Sequence, residues 1–121
     1  TTIVLYAGDN DVAAGHGADQ VYRNYLAFVD RVKKSLPKTK LVFIAIKPSL
    51  KRWELAPVME RVNRKVQRHA FWHRGVVYAD IWNPMLGSDG KPRKKLFIED
   101  GLHLSPAGYE IWRDVLAPLL E

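Results

Sequence analysis

The chain has no cysteine among its 121 residues, which excludes a disulfide framework and a thiolate zinc site. That absence suits any cellular compartment, so none is assigned. No apolar run approaches the roughly 18 residues from which a membrane-spanning helix is read. There is no internal repeat, low-complexity tract or linker, and the length is that of one domain, residues 1–121. No signal peptide is visible. The chain enters an apolar run directly after Thr1-Thr2, which leaves an upstream segment open. Serine is scarce: Ser35, Ser49, Ser88 and Ser105 are all there is.

What is present is basic and aromatic. Nineteen Lys and Arg against thirteen Asp and Glu give a net charge of +6, a balance that can mark a nucleic-acid or anionic-surface partner. Arg61, Arg64, Lys65 and Arg68 share one side of a helix, with Leu55, Val58, Met59, Val62 and Val66 on the other, as on a solvated helix face. A second cluster, Lys91, Arg93, Lys94 and Lys95, sits in a loop punctuated by Gly and Pro. Without exposed aromatics interleaved among the basic groups, a nucleic-acid partner is not expected. Four Trp, five Tyr and four Phe exclude a disordered chain.

Three unbroken apolar runs, 3–7, 41–46 and 76–79, read as strands buried on both faces. Helical periodicity over 21–36, 54–70 and 106–120 alternates with them. Pro57 falls in the first turn of the second helix, and Ser105-Pro106 supply an N-cap and first residue for the third. The alternation predicts an α/β fold with a parallel sheet and successive strands side by side. None of the three strands carries the charge or proline that protects an edge, so the side of strand 3–7 facing away from strand 41–46 needs a cover. Further strands, or a second copy of the chain associating through that edge, would provide it. Residues 81–104 are irregular and too long for a mere connection.

In open parallel sheets, ligands bind beyond the carboxyl ends of the strands. Gly8-Asp9-Asn10-Asp11 end the first strand, Lys47-Pro48-Ser49 the second and Asp80 the third. Gly8, Asp9 and Pro48 are candidate substrate-binding residues, and the Asn10 carboxamide could donate an N–H to a developing oxyanion. The same four residues, 8–11, also suit an ordinary turn. Asp100-Gly101-Leu102-His103 is more specific. A three-residue step on a tight turn can bring a carboxylate beside an imidazole, holding Nδ1–H and leaving Nε2 as a base. An Asp-Gly turn followed by a pocket-lining histidine has the same spacing. Asp9 with Asp11 lacks the fuller pattern of a calcium loop, and no metal is expected. Asp80 reads as a structural hydrogen-bond acceptor.

Taken together and in this order, the two blocks resemble those of the SGNH hydrolases, the GDSL-type esterases and lipases. Gly-x-Asn-Asp after an apolar strand matches residues 8–11, and Asp-x-x-His before a last helix matches 100–103. The surroundings are similar too, with Lys47-Pro48-Ser49, Arg52-Trp53 and Gly108-Tyr109. The resemblance implies a three-layer α/β/α sandwich of flavodoxin-like type, of which this chain holds three core strands. It implies hydrolysis of carboxylic esters, among them lipid esters and acetylated sugars, through a serine acyl-enzyme and without a cofactor. It implies Asn10 as an oxyanion-hole donor, Asp100 as the orienting acid and His103 as the base. The family's Gly-Asp-Ser block lies upstream of the Gly-x-Asn-Asp block, and only seven residues precede Gly8 here. The expectation is a domain truncated at its N-terminus that carries acid, base and one oxyanion donor but not the serine. Such a chain is expected to be inactive alone. The alternative is a non-catalytic α/β fragment that oligomerises through the edge of strand 3–7.

Overall fold

A computed structural model describes residues 1–121. Three parallel strands, β1 (Thr2–Leu5), β2 (Lys40–Ile44) and β3 (Val76–Ala79), lie in the order β1-β2-β3. The register is Leu5 beside Phe43 and Phe43 beside Tyr78. The helices are α1 (Asp9–Ala13), α2 (Ala18–Ser35), α3 (Ala56–Trp72) and α4 (Pro106–Leu116), with a 3-10 turn continuing to Leu120. The strand order and the alternating helices agree with the α/β fold expected from the runs of apolar residues. Two differences follow from local chemistry. Residues 9–13, rich in the turn formers Asp and Asn, wind into a short helix. The first two strands stop two residues early, where the chain turns toward the site.

Side-chain alternation assigns the layers. Phe43 meets the Tyr25 ring of α2 edge to face at 5.3 Å, and α2 and α3 pack against each other on that side. Tyr6, past the end of β1, points the other way and meets Trp112 of α4 at 5.1 Å. The core joins Phe43, Ile46, Met59, Val62, Val66 and Met85, all fully buried. β2 is the central strand and is buried almost throughout, whereas β1 pairs only with β2 and leaves Val4 44% exposed. An apolar cleft of about 160 Å³ opens beside β1, between Leu5, Ala7, Gly8, Tyr25, Phe28 and Phe43. No helix is long and apolar enough to cross a membrane.

α4 is held to the irregular stretch through its first turn. The Ser105 hydroxyl accepts from the Gly108 N–H at 3.3 Å and donates to the Lys95 carbonyl at 2.7 Å. Gly108 sits so close to the preceding loop that a Cβ there would stand 2.3 Å from the Leu96 carbonyl oxygen. Alanine gains about 1 kcal/mol over glycine inside a helix, but a clash with backbone cannot be relieved by a rotamer. Gly108→Ala is therefore expected to destabilise by about 1–3 kcal/mol, read from urea unfolding. A midpoint at or above wild type would remove close approach as the reason for the glycine.

Candidate active site

The carboxyl ends of β1 and β2 are joined by a buried charge cluster. Gly8 leaves β1 with φ of 109°, and a Cβ on it would lie 3.0 Å from both Ile46 and Val21. That turn sends Asp9 inward, where only 5% of it remains exposed. Its Oδ2 accepts from the Tyr6 hydroxyl and from Lys47 Nζ, each at 2.7 Å, and its Oδ1 from Arg52 Nη1 at 2.7 Å. Burial works against the ionised form. The hydrogen bonds from Lys47 and Tyr6, the Lys47 charge and the Arg52 hydrogen bond outweigh it and hold the carboxyl below its usual range. Tyr6 also accepts from the Lys47 N–H at 3.2 Å. Burial first and the Asp9 charge second raise its phenol far above the ordinary value, so it stays a donor.

The segment after β2 is held from the other side by α3. Asn63, buried, accepts from the Ile46 N–H at 2.8 Å and donates back to its carbonyl at 3.1 Å, so a side chain completes the pairing of a strand end. Ser49 Oγ accepts from the Arg52 N–H at 3.2 Å. The loop thus delivers two consecutive residues to two different groups. The Lys51 N–H donates to the Gly101 carbonyl at 3.0 Å. Arg52 Nη1 donates to Asn10 Oδ1 at 3.1 Å. A guanidinium only donates, so the Asn10 oxygen must face Arg52 and its NH₂ is turned elsewhere.

The turn at 100–103 is built around one carboxylate. Asp100 Oδ1 accepts from the backbone N–H groups of Leu102 and His103, each at 2.9 Å, and Oδ2 meets His103 Nδ1 at 2.5 Å. The hydrogen bond from His103 first, then those from the two backbone N–H groups, hold the Asp100 carboxyl far below the ordinary range. An ionised carboxylate only accepts, so Nδ1 carries a proton and Nε2 is the ring nitrogen left outside this contact. The His103 side chain is 71% exposed. Gly101, at φ of 67°, lets the turn close against Leu50.

Asn10 and the Asp100–His103 pair are therefore brought to the two flanks of one loop, residues 47–52. Gly8, Asp9 and Pro48, the expected substrate contacts, are all buried. In this structure they support the exposed groups from beneath. Asp80 accepts from both the backbone and side-chain nitrogens of Asn83, at 3.1 and 2.7 Å. No three His, Asp or Glu side chains come together as a metal-ligand group. Lys47 and Arg52 stand in stretches noted from the sequence but have no role assigned there, and Tyr6 reads only as part of the first strand. The available signal was a lysine closing an apolar strand, since a cation buried there demands a carboxylate.

The strand ends of this parallel α/β domain thus carry an Asp–His pair and an oriented carboxamide. The chain belongs to the GDSL-like lipase/acylhydrolase family, whose profile matches residues 1–111. No curated protein matches it. Among solved structures it is similar to a candidate platelet activating factor from Streptococcus pneumonia, at 23% identity and a TM-score of 0.88, covering 99% of this chain and 59% of that one. It is also similar to a carbohydrate esterase family 3 protein from Talaromyces cellulolyticus (21%, TM-score 0.81, 98% and 56%). A GDSL-like lipase from Bacteroides thetaiotaomicron shares the fold as well (17%, TM-score 0.74, 98% and 61%). The chain spans less than two thirds of each of these three chains.

Removing one partner of a buried ion pair leaves the others uncompensated and costs about 3–5 kcal/mol. Asp9→Asn is expected to lose stability in that range by urea unfolding at neutral pH. The sign with pH follows from the lowered carboxyl. The stabilisation is full above the unfolded value of about 3.9 and is lost as pH falls through the folded value. Wild type should therefore lose more stability than Asp9→Asn on acidification below about pH 4. Parallel losses would mean that the Asp9 cluster does not brace the fold.

Proposed function

We propose that this chain supplies the acid, the base and one oxyanion donor of a carboxylic-ester hydrolase working through a serine acyl-enzyme. The single observation that carries the reading is the Asp100–His103 contact on an exposed His103 side chain, joined through the 47–52 loop to an Asn10 amide whose oxygen is already engaged. In the reaction, a serine hydroxyl attacks the ester carbonyl and His103 Nε2 takes its proton. The tetrahedral oxyanion accepts a hydrogen bond from the Asn10 NH₂. Collapse expels the alcohol, which takes the proton from His103, and leaves an acyl-serine. Water, giving its proton to His103, then attacks the acyl carbon; collapse frees the carboxylic acid, and the departing serine oxygen takes that proton back from His103. Lipid esters and acetylated sugars are the substrate classes that family membership suggests.

The serine of this reading comes from outside residues 1–121. Ser49 is buried and spent on Arg52, Ser105 caps α4, Ser35 ends α2 and Ser88 lies in a turn. The free edge of β1 and the apolar cleft beside it would receive the segment that brings the nucleophile. The same edge supports a second reading, a non-catalytic fragment that associates with its own kind. β1 is unpaired on one side and carries an exposed Val4, the kind of edge that seeks a partner.

Residues 1–121 alone are expected to give no turnover of p-nitrophenyl acetate. Turnover proportional to protein and abolished by His103→Ala would put the nucleophile inside the chain. In a longer form that hydrolyses esters, Asn10→Ala is expected to lower kcat by about 10²–10³-fold and Asp100→Asn by about 10⁴-fold. Unchanged rates in both would sink the hydrolase reading. The edge is tested by sedimentation at tens of micromolar, an order-of-magnitude concentration for association. Self-association is the expected result, and a well-behaved monomer would count against the second reading.

A further inference from the structure

α3 has two working faces. Its inner face places Met59, Val62 and Val66 in the core. Its outer face carries Arg61, Arg64 and Arg68 in exposed positions. At 100° per residue these three fall within one quadrant or so of the helix, and Phe71 and Trp72 in the last turn continue the same stripe. Phe71 is 78% and Trp72 75% exposed, the two most exposed large apolar side chains in the protein. Their rings meet edge to face at 4.9 Å. An open cleft runs between Arg64, Gln67, Arg68, Phe71 and Trp72. None of Arg61, Arg64, Arg68 or Arg74 forms an ion pair. The basic helix thus does carry exposed aromatics, contrary to what its sequence indicated.

We propose that the outer face of α3 docks on an anionic phospholipid bilayer, with Phe71 and Trp72 entering the headgroup region and Arg64 and Arg68 meeting lipid phosphates. Bulky aromatics at one end of a cationic stripe suit a planar interface, where amphipathic rings settle at headgroup depth and unpaired arginines are attracted to negative lipid. A nucleic-acid strand asks for something else: open ring faces for stacking and a basic track that follows a backbone across several elements. Here the two rings close on each other, and the stripe lies on one helix.

The position of the patch adds a consequence. α3 runs antiparallel to β2 and β3, so Trp72 stands at the amino end of β3, the end opposite Asn10 and His103. The helix has 17 residues, about 25 Å of length. The aromatic contact and the strand ends are thus separated by about the length of α3. The docking is independent of the hydrolase reading and does not require the bilayer lipid to be the substrate.

The test is co-sedimentation of the full chain with vesicles of phosphatidylcholine alone, or with about a third phosphatidylserine, at low and high salt. Binding is expected to the anionic vesicles only, and to fall as salt rises. Two double variants, Phe71→Ala with Trp72→Ala and Arg64→Glu with Arg68→Glu, should each weaken it by about tenfold or more. His103→Ala should bind like wild type. Brominated lipid should quench wild-type fluorescence, and Trp72→Phe should lose that quenching while Trp53, Trp82 and Trp112 remain. All substituted side chains are exposed, and circular dichroism checks that each variant is folded. No binding to anionic vesicles at low salt, or equal binding by both double variants, would overturn the proposal. So would tight binding to a single-stranded oligonucleotide, lost in the same variants, with vesicles left unbound.

Discussion

One buried carboxylate organises the carboxyl end of the sheet. Asp9 follows a strand exit that only Gly8 permits, and an isolated anion at that depth would not remain ionised. Three donors from three segments keep it so: Tyr6 at the end of β1, Lys47 after β2 and Arg52 from the loop beyond. Each donor also does something else. Tyr6 accepts from the backbone of Lys47, and Arg52 turns the Asn10 amide. Because Lys51 and Arg52 are consecutive, a loop pinned at Asp9 also meets the 100–103 turn through Gly101. The Asp–His pair is thereby seated against a feature that the first strand determines, some ninety residues earlier in the chain.

This hierarchy explains which parts were legible in the sequence. The Asp100–His103 contact is local. A three-residue step and a glycine suffice to form it, so the spacing alone could propose it. The strands were legible because burial on both faces leaves an unbroken apolar run, as in Leu41 to Ile46. The Asp9 cluster was not legible, because two of its three partners lie 38 and 43 residues away, and nothing local tells a buried aspartate from a turn aspartate. The short helix at 9–13 was hidden by the same ambiguity: Gly, Asp and Asn favour turns and helix starts alike. Phe71 and Trp72 were obscured for a different reason. They extend a helix whose other apolar residues are core, and only the packing reveals that these two face outward.

The serines show how far a site can be narrowed by what its candidates already do. A nucleophile needs a hydroxyl free to approach both a base and an electrophile. Ser49 stands at a strand end, the most suitable location of the four, yet it is buried and accepts from the backbone of Arg52. Ser105 spans the Lys95 carbonyl and the Gly108 N–H. Both hydroxyls are structural for the very elements that position Arg52 and α4.

α3 connects the two ends of the molecule. At its site end, Asn63 supplies both hydrogen bonds that the backbone of Ile46 would otherwise lack, extending β2 toward Lys47 and the Asp9 cluster. At its far end, the final turn projects Phe71 and Trp72 into solvent. The two functions do not compete, since they use opposite faces of one helix. Substitutions on the arginine stripe touch none of the residues that hold Ile46, and substitutions at Asn63 touch none of the stripe. What the faces share is the rigidity of a packed helix, which fixes the direction of the strand ends relative to any surface that the aromatic end contacts.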